Sequence, residues 1–480
     1  MSKCRVRVSE RHGTDMHLKQ RLLAAAAVII LAATVLYGSK LEIKEPVPVQ
    51  PEKHSWLERE DTIYFWYADE ALTHFVNSAA VAFGEQNSVH VIPVLASDSE
   101  YLEAVNQASL KKEQLPDVFL IGHESLEKAY LAGLAEEIED AAGICTAEHF
   151  PEAALAAVTY KDKIIAYPLF FDTSVLLYNE TYLEQWASQR ALFELQGGLE
   201  VDEETGEPIG ELSTEMPDEA VWAAKTAEYM MEAVPGTIDD ILNIANTFDV
   251  PEGVDAILKW DLSDVLYNYW IVGNYMNVGG RAGDDKNIVH ILNDETVRCL
   301  EIYTALNQFF FIEPEEVTYE SVVSDFLEQK IMFTIVTTDI AKRIEEAQAD
   351  GTLHFQYGAA LMPAVSEELE SRSVSVTQAV AVNGYSEHAA LANQFAAYLV
   401  GECANDLYAK TGKVSANLSA DADNGLLQIF KMEYADSAPL PKMMETGHYW
   451  LLLERLFSKA WTGTDVTALL QELEILLGAE

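Results

Sequence analysis

The stretch YPLFFDTSVLLYN, residues 167–179, sets one carboxylate, Asp172, inside an apolar run. Such a run reads as a buried strand. A charge within it is costly unless it is paired or meets a polar ligand. Phe170 and Phe171 put aromatic faces beside Asp172. A ring plane next to a carboxylate is the chemistry of a sugar site: the ring covers the C–H face and the carboxylate accepts hydroxyls. The alternative is a buried Asp satisfied by backbone donors.

Toward the N-terminus, TIYFWY at 62–67 is rich in β-formers and predicts a strand. Helix over 72–84, strand over 89–95, helix over 101–112 and a buried strand over 118–121 follow. Strands alternating with helices predict an α/β parallel sheet with crossover helices. Ligands of such sheets sit at the carboxyl ends of the strands. Tyr67, Asp69, Glu70, His123 and Glu124 lie just past strand ends, which singles them out. Toward the C-terminus, residues 262–280 gather Tyr267, Tyr269, Trp270 and Tyr275. They are either core or a ligand platform. Trp450 follows Tyr449 before an apolar helix and reads as a stacking face or as helix packing.

Five landmarks then fall in one order. PDVFL at 116–120 with AGLAE at 132–136, the stretch at 167–179, FLEQKIM at 326–332, YG to MP at 357–363, and Pro439 to Trp450 followed by Thr462-Gly463 resemble extracellular solute-binding proteins of the maltose-binding type. That is family 1 of these proteins, the sugar-binding component of ABC transporters. The resemblance covers roughly residues 60 to 475. It implies a two-lobed periplasmic-binding-protein type II fold with discontinuous lobes and an interlobe cleft. The first lobe is expected over 58–170 and 339–392, the second over 171–338 and 393–480. Residues 187–235, acidic and rich in Gly and Pro, interrupt the pattern and read as an exposed insertion. The sequence departs from the family in two places. Gln329 replaces a glycine, and IVTTD at 335–339 stands where many sugar binders carry Gly-Pro-Trp. One stacking ring is therefore missing, and Thr337, Thr338 or Asp339 would supply hydrogen bonds instead.

The ligand implied is a carbohydrate or related solute, held in the cleft and delivered by closure to ABC permease transmembrane subunits. Asp172, Glu70 and Glu124 would accept hydroxyls, with His123 accepting or donating. Tyr67, Tyr269, Trp270 and Trp450 would stack, and Thr337 would hydrogen-bond. A membrane-tethered sensor or scaffold with the same fold is the alternative. A glycoside-active enzyme is a third reading, since Asp172 with Glu70 or Glu124 resembles a paired-carboxylate site. No nucleophile elbow, phosphate loop or zinc helix is present, so a non-enzyme is expected. No cofactor and no metal site is expected: the histidines are scattered, and the acidic stretches lack calcium-loop spacing.

The chain carries 78 acidic and 31 basic residues, a net charge of −47. That argues against nucleic acid and against adhesion to anionic membranes. Residues 1–21 are basic, and 22–37, LLAAAAVIILAATVLY, are apolar or small. This is an export pattern, with 1–21 on the cytoplasmic side. Residues 22–38 are expected to act as a signal peptide or an uncleaved membrane anchor helix. Proline-bearing 39–57 reads as an extended tether. The body is then expected outside the cytoplasmic membrane, anchored or released, as a monomer. Cys145, Cys299 and Cys403 are far apart and predict core positions rather than a disulfide framework.

Overall fold

The computed structural model describes residues 61–111, 114–198, 213–310 and 312–478. The expected anchor and tether lie outside the described residues, as does 199–212 of the acidic insertion.

The first sheet begins with β1 (Thr62–Tyr67), whose alternate residues Ile63, Phe65 and Tyr67 point into the core. That alternation is the two-residue period of a strand. β2 (His90–Leu95) and β3 (Val118–Gly122) pair parallel to β1 on its two sides. The helices Thr73–Asn87 and Tyr101–Lys111 make the two crossovers, as parallel pairing requires. The first of these buries Phe75, Val76, Ala79, Ala80 and Phe83 along one face. It ends where Ser88 turns left-handed at φ 54, a common helix stop.

β4 (Tyr167–Asp172) joins this sheet, and after the single residue Thr173 the chain enters β5 (Ser174–Asn179) of a second sheet. Residues 167–179 are therefore a crossing between sheets. β6 (Ala256–Leu258), β7 (Ile331–Thr337) and β8 (Tyr357–Ala360) complete the second sheet in the order β8-β5-β7-β6. All seven residues of β7 are buried, as in a strand covered on both faces. The chain returns to the first sheet as β9 (Val374–Val382), antiparallel to both β3 and β4. β10 (Val414–Ser415) pairs with β4, and β11 (Ala438–Pro439) with β9. The first sheet thus runs β10-β4-β9-β3-β1-β2.

This pairing departs from the expected division at two points. Tyr357–Ala360 adds to the second sheet beside β5, so the return falls after residue 360 and not at 339. Residues 414–415 and 438–439, expected in the second lobe, pair in the first sheet. The reason is local: β8 is a four-residue edge strand of half-buried residues and carries no strong apolar signal.

Within 187–235, two helices take the described part. Glu180–Leu195 and Glu219–Met231 pack together, with Trp222 Nε1 donating to the Ser188 carbonyl at 2.9 Å. Tyr229 donates to Glu194 at 2.8 Å, and Lys225 pairs with Glu194 at 2.9 Å. A large aromatic cluster anchors the second half: Trp461 meets Trp260 and Tyr303 edge-on at 5.4 and 5.0 Å. Its indole donates to the Ile312 carbonyl at 3.0 Å. Cys145, Cys299 and Cys403 are buried free thiols.

Candidate functional site

A cavity of about 960 Å³ opens between the ends of the first-sheet strands and residues from the second half of the chain. Ala68 and Asp69 follow β1, and Gly122, Glu124 and Ser125 close β3. Phe170 and Asp172 end β4, and Val376 and Gln378 lie on β9. Lys413, just before β10 of the same sheet, and Leu266 and Trp450 complete the lining. The carboxyl ends of the parallel strands β1 and β3 therefore open onto it, as expected for an open α/β sheet.

Asp172 stands at the crossing. One of its oxygens accepts the Thr338 backbone N–H at 3.1 Å and the Thr338 hydroxyl at 2.8 Å. Burial pushes its pKa up to about 6, and nearby Asp339 adds to the rise. The two Thr338 bonds and Lys413 pull the other way. Glu124 sits on the 3₁₀ turn His123–Ser125 directly after β3. Desolvation in the cavity raises its pKa above the ordinary carboxylate range, although 43% of its side chain stays open to the cavity. Gly122 makes this placement possible, since a Cβ there would collide with the Glu124 carboxylate.

Lys413 arrives through a helix stop. The helix Ala404–Thr411 ends at Gly412, φ 74, whose N–H bonds the Tyr408 carbonyl. That left-handed turn suits glycine and brings Lys413 to the start of β10. The ammonium lies 3.1 Å from Asp69 and 5.5 Å over the Phe170 ring. Trp450 is the second residue of the helix Tyr449–Trp461. Its indole N–H donates to Glu454, one turn on, at 3.0 Å, which fixes the ring beside the cavity. Tyr101 lines the opposite wall, its hydroxyl donating to the Trp66 carbonyl at 2.9 Å.

Of the nine residues given ligand-binding roles from the sequence, Glu124, Asp172 and Trp450 line this cavity. The other six do not. His123 is fully buried. Its Nδ1 accepts the Thr377 N–H at 3.0 Å and its Nε2 lies 3.2 Å from the Leu440 carbonyl. That pattern puts the single ring proton on Nε2. Burial, with the Lys442 charge, holds the pKa down to about 3. Tyr67 is a core residue: it stacks on Phe65 at 5.9 Å and its hydroxyl donates to Thr73. Tyr269 and Trp270 are buried in the 3₁₀ turn Tyr269–Ile271, Trp270 donating to the Tyr267 carbonyl. The aromatic cluster at 262–280 is thus mostly core, and its cavity-facing member is the aliphatic Leu266. Glu70 is exposed in the 3₁₀ turn Glu70–Leu72, and the preceding Asp69 lines the cavity instead. Thr337 is buried behind the wall, its hydroxyl donating to Asp339 at 2.8 Å.

Asp69 carries the same position-after-a-strand signal as Glu70. Strand direction alone could not choose between them. Lys413 and Gln378 give no local signal, because distant parts of the chain bring them to the cavity.

No family model and no curated protein matches the chain. Solved structures do. A Staphylococcus aureus extracellular solute-binding protein in complex with maltose matches with TM-score 0.68 and 16% identity, over 88% of this chain and 98% of that one. The maltose-binding periplasmic protein MalE of Listeria monocytogenes, also with maltose, matches at 0.65 and 18%, over 88% and 97%. The GacH receptor of Streptomyces glaucescens, solved unliganded and with acarbose, matches at 0.61 and 16%, over 88% and 100%. These are binding proteins rather than enzymes. The chain has the mixed α/β fold of the two-lobed maltose- and maltodextrin-binding extracellular solute-binding proteins.

Proposed function

We propose that this protein is an extracellular carbohydrate receptor that takes a glycan into the cavity and closes on it. One observation carries the reading. Carboxylates Asp172 and Glu124 share a 960 Å³ cavity with the aromatic side chains of Phe170, Tyr101 and Trp450, in a fold whose relatives hold maltose, maltotetraose and acarbose. Carboxylates accept sugar hydroxyls through charge-assisted hydrogen bonds, and rings cover the apolar sugar face. Closure would pivot at the crossings beside Thr173 and Thr338. It would exclude water, which makes an unmatched hydroxyl costly and gives selectivity.

An ABC permease is the proposed recipient of the closed form. The basic and then apolar run over 1–37 supports a body on the outer face of the cytoplasmic membrane, tethered or released after cleavage. The test is isothermal titration of the purified protein with maltose, maltotetraose and a panel of other oligosaccharides, alongside thermal shift. The expected result is saturable binding of at least one glycan, weakened by Asp172→Ala. Absence of binding across the panel overturns the reading.

A further inference from the structure

We propose that the glycan carries a protonated amine and that Glu124 selects for it. This rests on the glycan-binding reading above. The cavity lining holds six carboxylates against two ammonium groups, Lys128 and Lys413. Lys413 is already spent on Asp69 at 3.1 Å, which leaves five carboxylates and one ammonium.

Among the described residues Glu124 has no Lys or Arg partner. The one nearby candidate, His123 Nδ1 at 3.8 Å, accepts the Thr377 N–H and so carries no proton. The imidazole is neutral and this contact is not an ion pair. The remaining polar neighbour is the Ser125 hydroxyl, at 3.5 Å. The absent Cβ of Gly122 leaves the space that the Glu124 carboxylate fills. Among the described residues no group of three or more acidic, His or Cys side chains is arranged to hold a metal ion. The carboxylates are spread around the wall, which suits a ligand with its own distributed charge and not a point cation.

A neutral sugar would satisfy hydroxyl bonds but leave this negative charge uncompensated as the cleft closes. Like charges brought into a drier space repel more strongly. A protonated amine on the ligand removes that cost and gains a charge-assisted hydrogen bond. The chain itself shows that an ammonium is accommodated here: Lys413 lies between the Asp69 carboxylate and the face of Phe170, an arrangement that attracts cations. Trp450 offers a second face across the cavity.

The experiment compares three trisaccharides by titration calorimetry on the full chain: the glucosamine trimer, its fully N-acetylated form, and maltotriose. Near neutral pH and low salt, where Asp172 with its pKa of about 6 is mostly ionised, the free-amine trimer should bind about tenfold or more tightly than either neutral sugar. The preference should shrink as salt rises. Glu124→Gln should collapse the ratio between the aminated and acetylated trimers toward one, a readout that a general folding defect would not move. Equal or tighter binding of a neutral trisaccharide to the parent protein overturns this inference and leaves the glycan reading standing. An unchanged ratio in Glu124→Gln overturns the role of Glu124. Failure of every trisaccharide here and of the wider panel overturns both.

Discussion

Asp172 and Thr338 tie the two sheets together: the last residue of β4 accepts both the backbone N–H and the hydroxyl of the residue that follows β7. The carboxylate that lines the cavity is therefore also a fastening at the crossing. Any movement of one sheet relative to the other must stretch or keep these two bonds.

That position gives a pH signature. Burial raises Asp172 from 3.8 to about 6, so folding favours its protonated form. Its contribution to stability is fully present below the ordinary value and is lost as pH rises through about 6. Asp172→Asn keeps an acceptor for Thr338 and removes the charge. It should stabilise the protein above pH 6 by on the order of 1–3 kcal/mol and change little near pH 4. Denaturant melts of both proteins across this range decide it, and a pH-independent difference would remove the desolvation account.

Lys442 runs the other way. It is buried, and its ammonium donates to the Ala156 and Thr159 carbonyls at 2.7 and 2.6 Å, at the end of the helix Glu152–Val158. Burial lowers its pKa from 10.5 to about 7 against the pull of Asp284. A depressed base contributes stability that is present above its ordinary value and lost as pH falls through about 7. Lys442→Met should abolish this part of the rise in stability between neutral and alkaline pH. It should also cost on the order of 1–3 kcal/mol by leaving the two carbonyls without their donor. Persistence of the same pH slope in the variant would assign it to Lys431, whose pKa burial lowers to about 8.

How far the sequence could lead is visible in these residues. Asp172 was legible because a single charge in an apolar run has few cheap explanations. Helix–strand alternation over 62–121 was legible because its periods switch cleanly from two to 3.6. His123 misled because its partners, Thr377 and Leu440, are brought by strands far along the chain. Tyr269 and Trp270 misled because a run of aromatics looks alike whether it faces a ligand or a core. The return to the first sheet was misplaced because β8 is short and half-buried. Lys413 was invisible, since only the pairing of β10 with β4 brings it over Phe170.

Two glycines separate rigid from yielding neighbours. A Cβ on Gly273 would run into the Arg372 backbone carbonyl and the Tyr269 ring. Backbone cannot step aside cheaply, so Gly273→Ala should cost on the order of 2–3 kcal/mol. A Cβ on Gly122 meets only the end of the Glu124 side chain, which can swing away. Gly122→Ala should therefore fold with stability changed by less than about 1 kcal/mol while displacing Glu124 and weakening ligand binding. Equal destabilisation of both variants in thermal melts would contradict this contrast.

Two tryptophans at opposite ends of one helix, Trp450 and Trp461, should respond in opposite ways. Trp461 is 1% exposed, packed edge-on against Trp260 and Tyr303, with its indole N–H satisfied by Ile312. Trp461→Ala should cost roughly 3–5 kcal/mol, the range for deleting a large buried aromatic. Trp450 stands at the other end of the same helix, half-buried against the cavity, with its N–H on Glu454. Little core is lost with it, so Trp450→Ala should change stability by about 1 kcal/mol or less. If its ring covers the bound glycan, the variant should lose about tenfold in affinity, near 1.4 kcal/mol, and most of any ligand-induced change in tryptophan fluorescence. Binding and fluorescence that survive Trp450→Ala intact would move the stacking face to Tyr101 or Phe170.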